Sequence, residues 1–122
     1  MTWLYRQTTG EMLHDGTVVG LGYSGIADGL DNPAEQSVPD TGPIPVGSYD
    51  IGDAFLHPQC GPVAMRLTPQ AGTDTFGRDG FLIHGDNQAM DHTASHGCII
   101  LPRVIREAIS VSDDKTLIVV SG

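Results

Sequence analysis

Along this chain, apolar and polar positions alternate in short stretches far more often than they repeat at helical spacing. Thr2 to Gln7 (Thr-Trp-Leu-Tyr-Arg-Gln) is rich in β-forming residues and is turned by Thr8-Thr9-Gly10. Glu11 to His14 pairs back on it, Asp15-Gly16 is a two-residue hairpin signal, and Thr17 to Tyr23 continues as a third strand. Gly42-Pro43-Ile44-Pro45-Val46-Gly47 stiffens the approach to another strand, Ser48 to Ile51. From Val63 to Thr68, Val63, Met65 and Leu67 alternate with Ala64, Arg66 and Thr68, the pattern of a half-buried strand. Two apolar runs bounded by glycine read as buried strands: one ends at His84-Gly85, the other opens after Gly97 at Cys98-Ile99-Ile100. Thr116 to Val120 closes the set, with Leu117, Ile118, Val119 and Val120 predicted as buried. One segment has helical period: Pro102 to about Val111, with Val104, Ile105, Ala108 and Ile109 on its apolar face. The pattern predicts a mainly β fold with one short helix after Cys98. Ser24 to Gly42, Asp53 to Pro62 and Pro69 to Gly80 are predicted as loops.

Composition narrows this without changing it. At 122 residues the chain fits one domain, 1–122, with a single core. Sixteen Gly and eight Pro favour short strands joined by many turns. No run approaches the roughly 18 apolar residues of a membrane span. No basic start leads into an apolar segment, so export without a cleaved Sec signal is expected. A net charge of −9 argues against nucleic acid and against anionic lipid surfaces as partners. A monomer is expected.

The chemistry concentrates between the two glycine-bounded runs. If they are neighbours, the connection between them brings the His84 imidazole and the Cys98 thiol to one edge of a sheet, the minimum equipment for covalent acyl transfer. A free thiol has a pKa of about 8.5, so it needs activation. Cys98 lies four residues before the helix, so activation is assigned chiefly to His84. Gly97 would let a substrate carbonyl approach closely, and the N–H groups of His96, Gly97 and Cys98 could form an oxyanion hole. Two readings compete. His84, Asp86, His92, His96 and Cys98 include legitimate zinc ligands, although their spacing matches no HExxH or CxxC pattern. Cys60, in a loop-like context without a motif, could pair with Cys98 and silence it; a free thiol is the expectation. No cofactor and no metal are expected.

His84-Gly85 followed by Ser95-His96-Gly97-Cys98-Ile99 resembles the active-site signature of the L,D-transpeptidase (YkuD-like) catalytic domain. The flanks Asn32-Pro33-Ala34, Gly42-Pro43-Ile44-Pro45, Arg66-Leu67-Thr68-Pro69, Thr75-Phe76-Gly77-Arg78 and Ile99-Ile100-Leu101-Pro102-Arg103 make it most similar to the type VI secretion L,D-transpeptidase-like effectors. The resemblance implies an L,D-transpeptidase-like β-sandwich or sheet. It also implies a Cys98 nucleophile with a His84 base acting on the stem peptides of peptidoglycan, by L,D-carboxypeptidase cleavage or D-amino-acid exchange on tetrapeptide stems. It further implies an antibacterial effector acting in the periplasm of a target bacterium, with a cognate immunity protein as partner. An endogenous or phage wall-remodelling enzyme and a non-catalytic or metal-dependent wall-binding domain are the alternatives. In the resembling enzymes a backbone carbonyl beside the histidine orients it, here that of Gly85 or a neighbour. Ser95 would brace the loop, and His96 would support loop or substrate. Asp86 either holds a histidine, meets a substrate ammonium or is a plain surface residue. Many relatives carry Arg or Asn two residues after the cysteine, where this chain has Ile100. Arg78 and Arg103 are therefore the candidates to meet a stem carboxylate.

Overall fold

The computed structural model describes residues 2–87 and 94–122. Strands β1 (Trp3–Arg6), β2 (Glu11–His14) and β3 (Thr17–Leu21) form the opening meander, and after Gly22 the chain continues as β4 (Tyr23–Ser24). Two single 3-10 turns, Ala27–Gly29 and Pro33–Glu35, lie in the segment before β5 (Gly47–Ile51). Then follow β6 (Phe55–His57), β7 (Gly61–Pro69), β8 (Leu82–His84), β9 (Ile99–Ile100), helix α1 (Arg103–Val111) and β10 (Thr116–Val120). The protein is mainly β, as the alternation predicts.

The strands join in the order β3-β2-β1-β10-β5-β7-β8-β9-β4, with β6 paired to β7 at the side. The two ends of that path, β3 and β4, are separated in sequence only by Gly22, so the sheet curls until it nearly closes. Two pairings are parallel: β1 with β10, and β8 with β9. The remaining pairings are antiparallel hairpins or returns.

Residues two apart on a strand share a face, and the inward faces meet in one core. Trp3 and Tyr5 of β1, Met12 of β2, Tyr49 and Ile51 of β5, Met65 and Leu67 of β7, Ile83, Ile99, and Leu117 and Val119 of β10 fill it. Ile105 and Ile109 of α1 cover one side. Three expectations change in detail. β10 fully buries only alternate residues, Leu117 and Val119, because its other face is only partly covered. The Asp53–Pro62 stretch is a hairpin arm rather than a loop, since Phe55 and His57 pair with Ala64 and Gly61. The buried face of α1 holds Ile105, Arg106 and Ile109, while Val104 is 70% exposed.

Candidate active site

The parallel β8–β9 pairing sets the site. Ile83 is in register with Ile99 and His84 with Ile100. Cys98 lies two positions before Ile100, so strand periodicity places it on the same side as His84. Both residues line one cavity of about 360 Å3, with Gln59 and Cys60 from the β6–β7 turn and Asp86 and His96 at its rim.

His84 is buried, and its Nδ1 lies 2.8 Å from the Gly85 carbonyl oxygen. A carbonyl can only accept, so Nδ1 carries the proton and the lone pair of neutral imidazole is at Nε2. Burial lowers the His84 pKa below its ordinary value; the bond to Gly85 works against this, nearby His57 and Arg106 reinforce it, and Asp86 opposes it. At neutral pH the ring is therefore an uncharged base.

Cys98 is a free, half-buried thiol. Burial pushes its pKa up to about 11; the Leu82 amide and Arg78 pull the other way, and Cys60 adds to the rise. Its hydrogen-bond contact is the Gly80 carbonyl, at 3.9 Å, rather than His84. The resting pair is thus neutral thiol and neutral imidazole, not an ion pair. Cys60 is also a free thiol raised by burial, and no disulfide joins the two.

The loop leading to Cys98 is held from beneath. Ser95 is fully buried: its hydroxyl accepts from the Gly25 and Gly97 amides, at 2.9 and 3.2 Å, and donates to the Cys98 carbonyl at 2.6 Å. Of the three amides considered for an oxyanion hole, that of Gly97 is therefore engaged, while those of His96 and Cys98 have no partner among the described residues. Gly97 has φ +135°, a conformation closed to side-chain-bearing residues, and a Cβ there would lie 2.5 Å from Arg78 Nη2. This glycine permits the close approach of the Arg78 guanidinium. His96 is exposed, with Nδ1 at 3.1 Å from the Asp40 carbonyl. Asp86, also exposed, accepts from the Tyr23 hydroxyl at 2.7 Å and the Asn87 amide at 2.9 Å.

Arg78 is 8% exposed and its guanidinium is engaged by main-chain carbonyls. Nη1 donates to Gln36 and Pro43, at 2.5 and 2.8 Å, and Nη2 to Gly42 and His96, at 2.9 and 3.3 Å. It ties the segment before β5 to the cysteine loop. Arg103 is exposed, 3.6 Å from Glu107. It lines a second cavity of about 570 Å3, between β4, β9 and the start of α1, which meets the first at Asp86.

Sequence reasoning missed three contributors. Cys60 and Gln59 reach the cavity because the β6–β7 hairpin folds over it. Arg106 lies under Gly85, where a Cβ would be 2.7 Å from Nη2. Its Nε donates to the Leu101 carbonyl at 3.1 Å and its Nη1 to the Pro62 and Val63 carbonyls at 2.7 and 3.4 Å. Val63 has φ +56°, a strained setting for a β-branched residue, at the point where the chain turns its carbonyls to this arginine.

The zinc reading involves His92, which lies outside the described residues. Among the described residues, the group of potential ligands whose donor atoms all lie within 4.8 Å of one another is His14, Asp15 and Asp114, on the far part of the sheet. His84, Asp86, His96 and Cys98 do not form such a group. Among the described residues, no helix is long and apolar enough to cross a membrane. The model of one protein family, described as the Tlde1 domain, matches residues 20–121. No curated protein matches the chain.

Proposed function

The chain belongs to the Tlde1 domain family, and from that premise we propose that it is a type VI secretion effector and a cysteine-dependent acyl transferase of the L,D-transpeptidase type. Its substrate is the stem peptide of peptidoglycan. The carrying observation is the Nδ1–Gly85 bond, which leaves the basic nitrogen of His84 for the cavity that also holds the Cys98 thiol.

In the reaction, Cys98 rotates about χ1 from the Gly80 carbonyl toward His84 Nε2; catalytic hydrogen bonds commonly tighten only when substrate arrives. The thiol proton passes to Nε2 as sulfur attacks the carbonyl before the terminal D-alanine. The amides of Cys98 and His96 stabilise the oxyanion, an interaction worth about 2.7–4 kcal/mol per donor in acyl transfer. Collapse breaks the C–N bond, and His84 returns the proton to the leaving amine. Water then hydrolyses the thioester, or the amine of another D-amino acid displaces it, with His84 again as base. Raised thiol and lowered imidazole pKa values fit such concerted proton transfer. On this reading the protein acts in the periplasm of a target bacterium, with an immunity protein as its counterpart in the producer.

Incubation of the chain with tetrapeptide muropeptides, followed by mass analysis, tests the reading. Loss of the terminal D-alanine, abolished by Cys98→Ala and reduced at least a hundredfold by His84→Gln, is the expected result. Release that persists at the same rate in Cys98→Ala would remove the nucleophile.

A further inference from the structure

Among the described residues, one nitrogen of the nearly buried Arg106 guanidinium has no hydrogen-bond partner. Arg106 is 8% exposed, and its Nε and Nη1 are held by the Leu101, Pro62 and Val63 carbonyls. Among the described residues Nη2 makes no hydrogen bond and no acid lies within ion-pair distance, Glu107 acting only through space, and Arg106 lines the 570 Å3 cavity. A cation removed from water and left uncompensated is costly unless something else completes it. Arg78, equally buried, has both terminal nitrogens engaged, so incomplete pairing is not a general habit of this chain.

Further observations add positive character at the α1 end of the cavity. Arg103 lines it as well, so two of the chain's six Lys and Arg residues face one cavity in a protein of net charge −9. The N-terminus of α1 opens there too: its N-cap, Pro102, offers no side-chain bond and the first turn has no acidic residue. Such an end favours an anion. Asp31 and Asp86 line the cavity as well, so the fitting group is an anion with an ammonium close by.

We infer that this cavity is a carboxylate subsite in which Arg106 Nη2 binds the carboxylate of an amino acid unit, next to the Cys98–His84 cavity, with which it shares Asp86. The inference rests on the proposed stem-peptide reaction and deepens it. The shared chemistry, a carboxylate next to an ammonium, has two sources. One is the free side-chain carboxylate of the diamino acid in a stem; the other is the free D-amino acid that accepts the acyl group.

Calorimetric titration of the Cys98→Ala chain separates them. The ligands are a tetrapeptide stem with its side-chain carboxylate free, the same peptide amidated there, D-alanine and D-alaninamide. Binding about ten- to a hundredfold tighter for the free acid of one pair is expected, and which pair shows it identifies the source. In a Cys98→Ala, Arg106→Gln chain the two members of that pair should bind equally. If that chain fails to fold by circular dichroism, the ligand pairs on the Cys98→Ala chain decide alone. Equal binding within both pairs, or no saturable binding of any ligand, overturns the subsite. Turnover by the unsubstituted chain that survives in Cys98→Ala overturns the reaction and leaves the binding difference standing, so the two failures are told apart.

Discussion

Each half of the site stands on a glycine with a buried arginine against it, and the two halves use that arginine differently. On the cysteine side, Arg78 lies against Gly97 and donates four times to carbonyls from Gln36 to His96. On the histidine side, Arg106 lies against Gly85, lines a cavity, and makes no hydrogen bond through Nη2 among the described residues. Equal burial therefore does not mean equal duty. A guanidinium saturated by main-chain oxygens fixes backbone, whereas one with an open edge holds backbone and presents a charge.

Substitution of the two arginines breaks the comparison most forcefully. Arg78→Met strands four carbonyls, and a loss of about 3 kcal/mol or more is expected, a fall in Tm on the order of 10 °C by calorimetry. Arg106→Gln should lose only about 1–2 kcal/mol, with the larger consequence in ligand binding. Equal melting points would remove the distinction.

The glycines give a smaller contrast. Gly97→Ala combines a forbidden φ of +135° with a 2.5 Å approach to Arg78, so about 1–3 kcal/mol of destabilisation is expected, with most turnover lost. Gly85→Ala meets only the far end of the Arg106 side chain, at 2.7 Å. About 1 kcal/mol is expected there, with weakened binding of the carboxylate ligand. Chemical denaturation of the two variants measures the difference.

Titration provides the finest test, because Arg106 acts on His84 and Arg78 on Cys98. The base must be neutral, and its pKa lies below 6.5, so kcat/KM should hold constant at neutral pH and fall on the acid side of that value. Removing the Arg106 charge stabilises the imidazolium and should move this acid limb to higher pH. Arg78→Gln has the opposite character: it removes a charge that favours thiolate and should slow Cys98 alkylation at a fixed alkaline pH. The alkylation rate of the unsubstituted chain should still be rising toward pH 11. An acid limb unmoved by Arg106→Gln would separate that arginine from the base.

Much of the fold was legible because one-sided burial writes itself as alternation. β1, β2, β5 and β7 lie where the period of two put them. The His84 and Cys98 runs were legible as strands because each is apolar and glycine-bounded. What could not be read depends on partners distant along the chain. Arg106 occupies a helix face that a polarity pattern assigns to Val104, since its partners are carbonyls of Leu101, Pro62 and Val63, and main-chain atoms leave no trace in residue identity. The same holds for Arg78, whose four carbonyls span residues 36 to 96. Cys60 reaches the cavity only because Phe55 and His57 pair with β7, and three residues of strand leave too short a pattern to detect.

The parallel contact between β1 and β10 bears on how the polypeptide is cut for experiment. The family match starts at residue 20, yet β1 lies between β2 and β10 in the middle of the hydrogen-bonded order. A gene trimmed to the matched residues would delete β1 and β2, cut β3 short and turn β10 into an open margin carrying Leu117 and Val119, which invites self-association. The recognisable signature is shorter than the strand ladder that contains it.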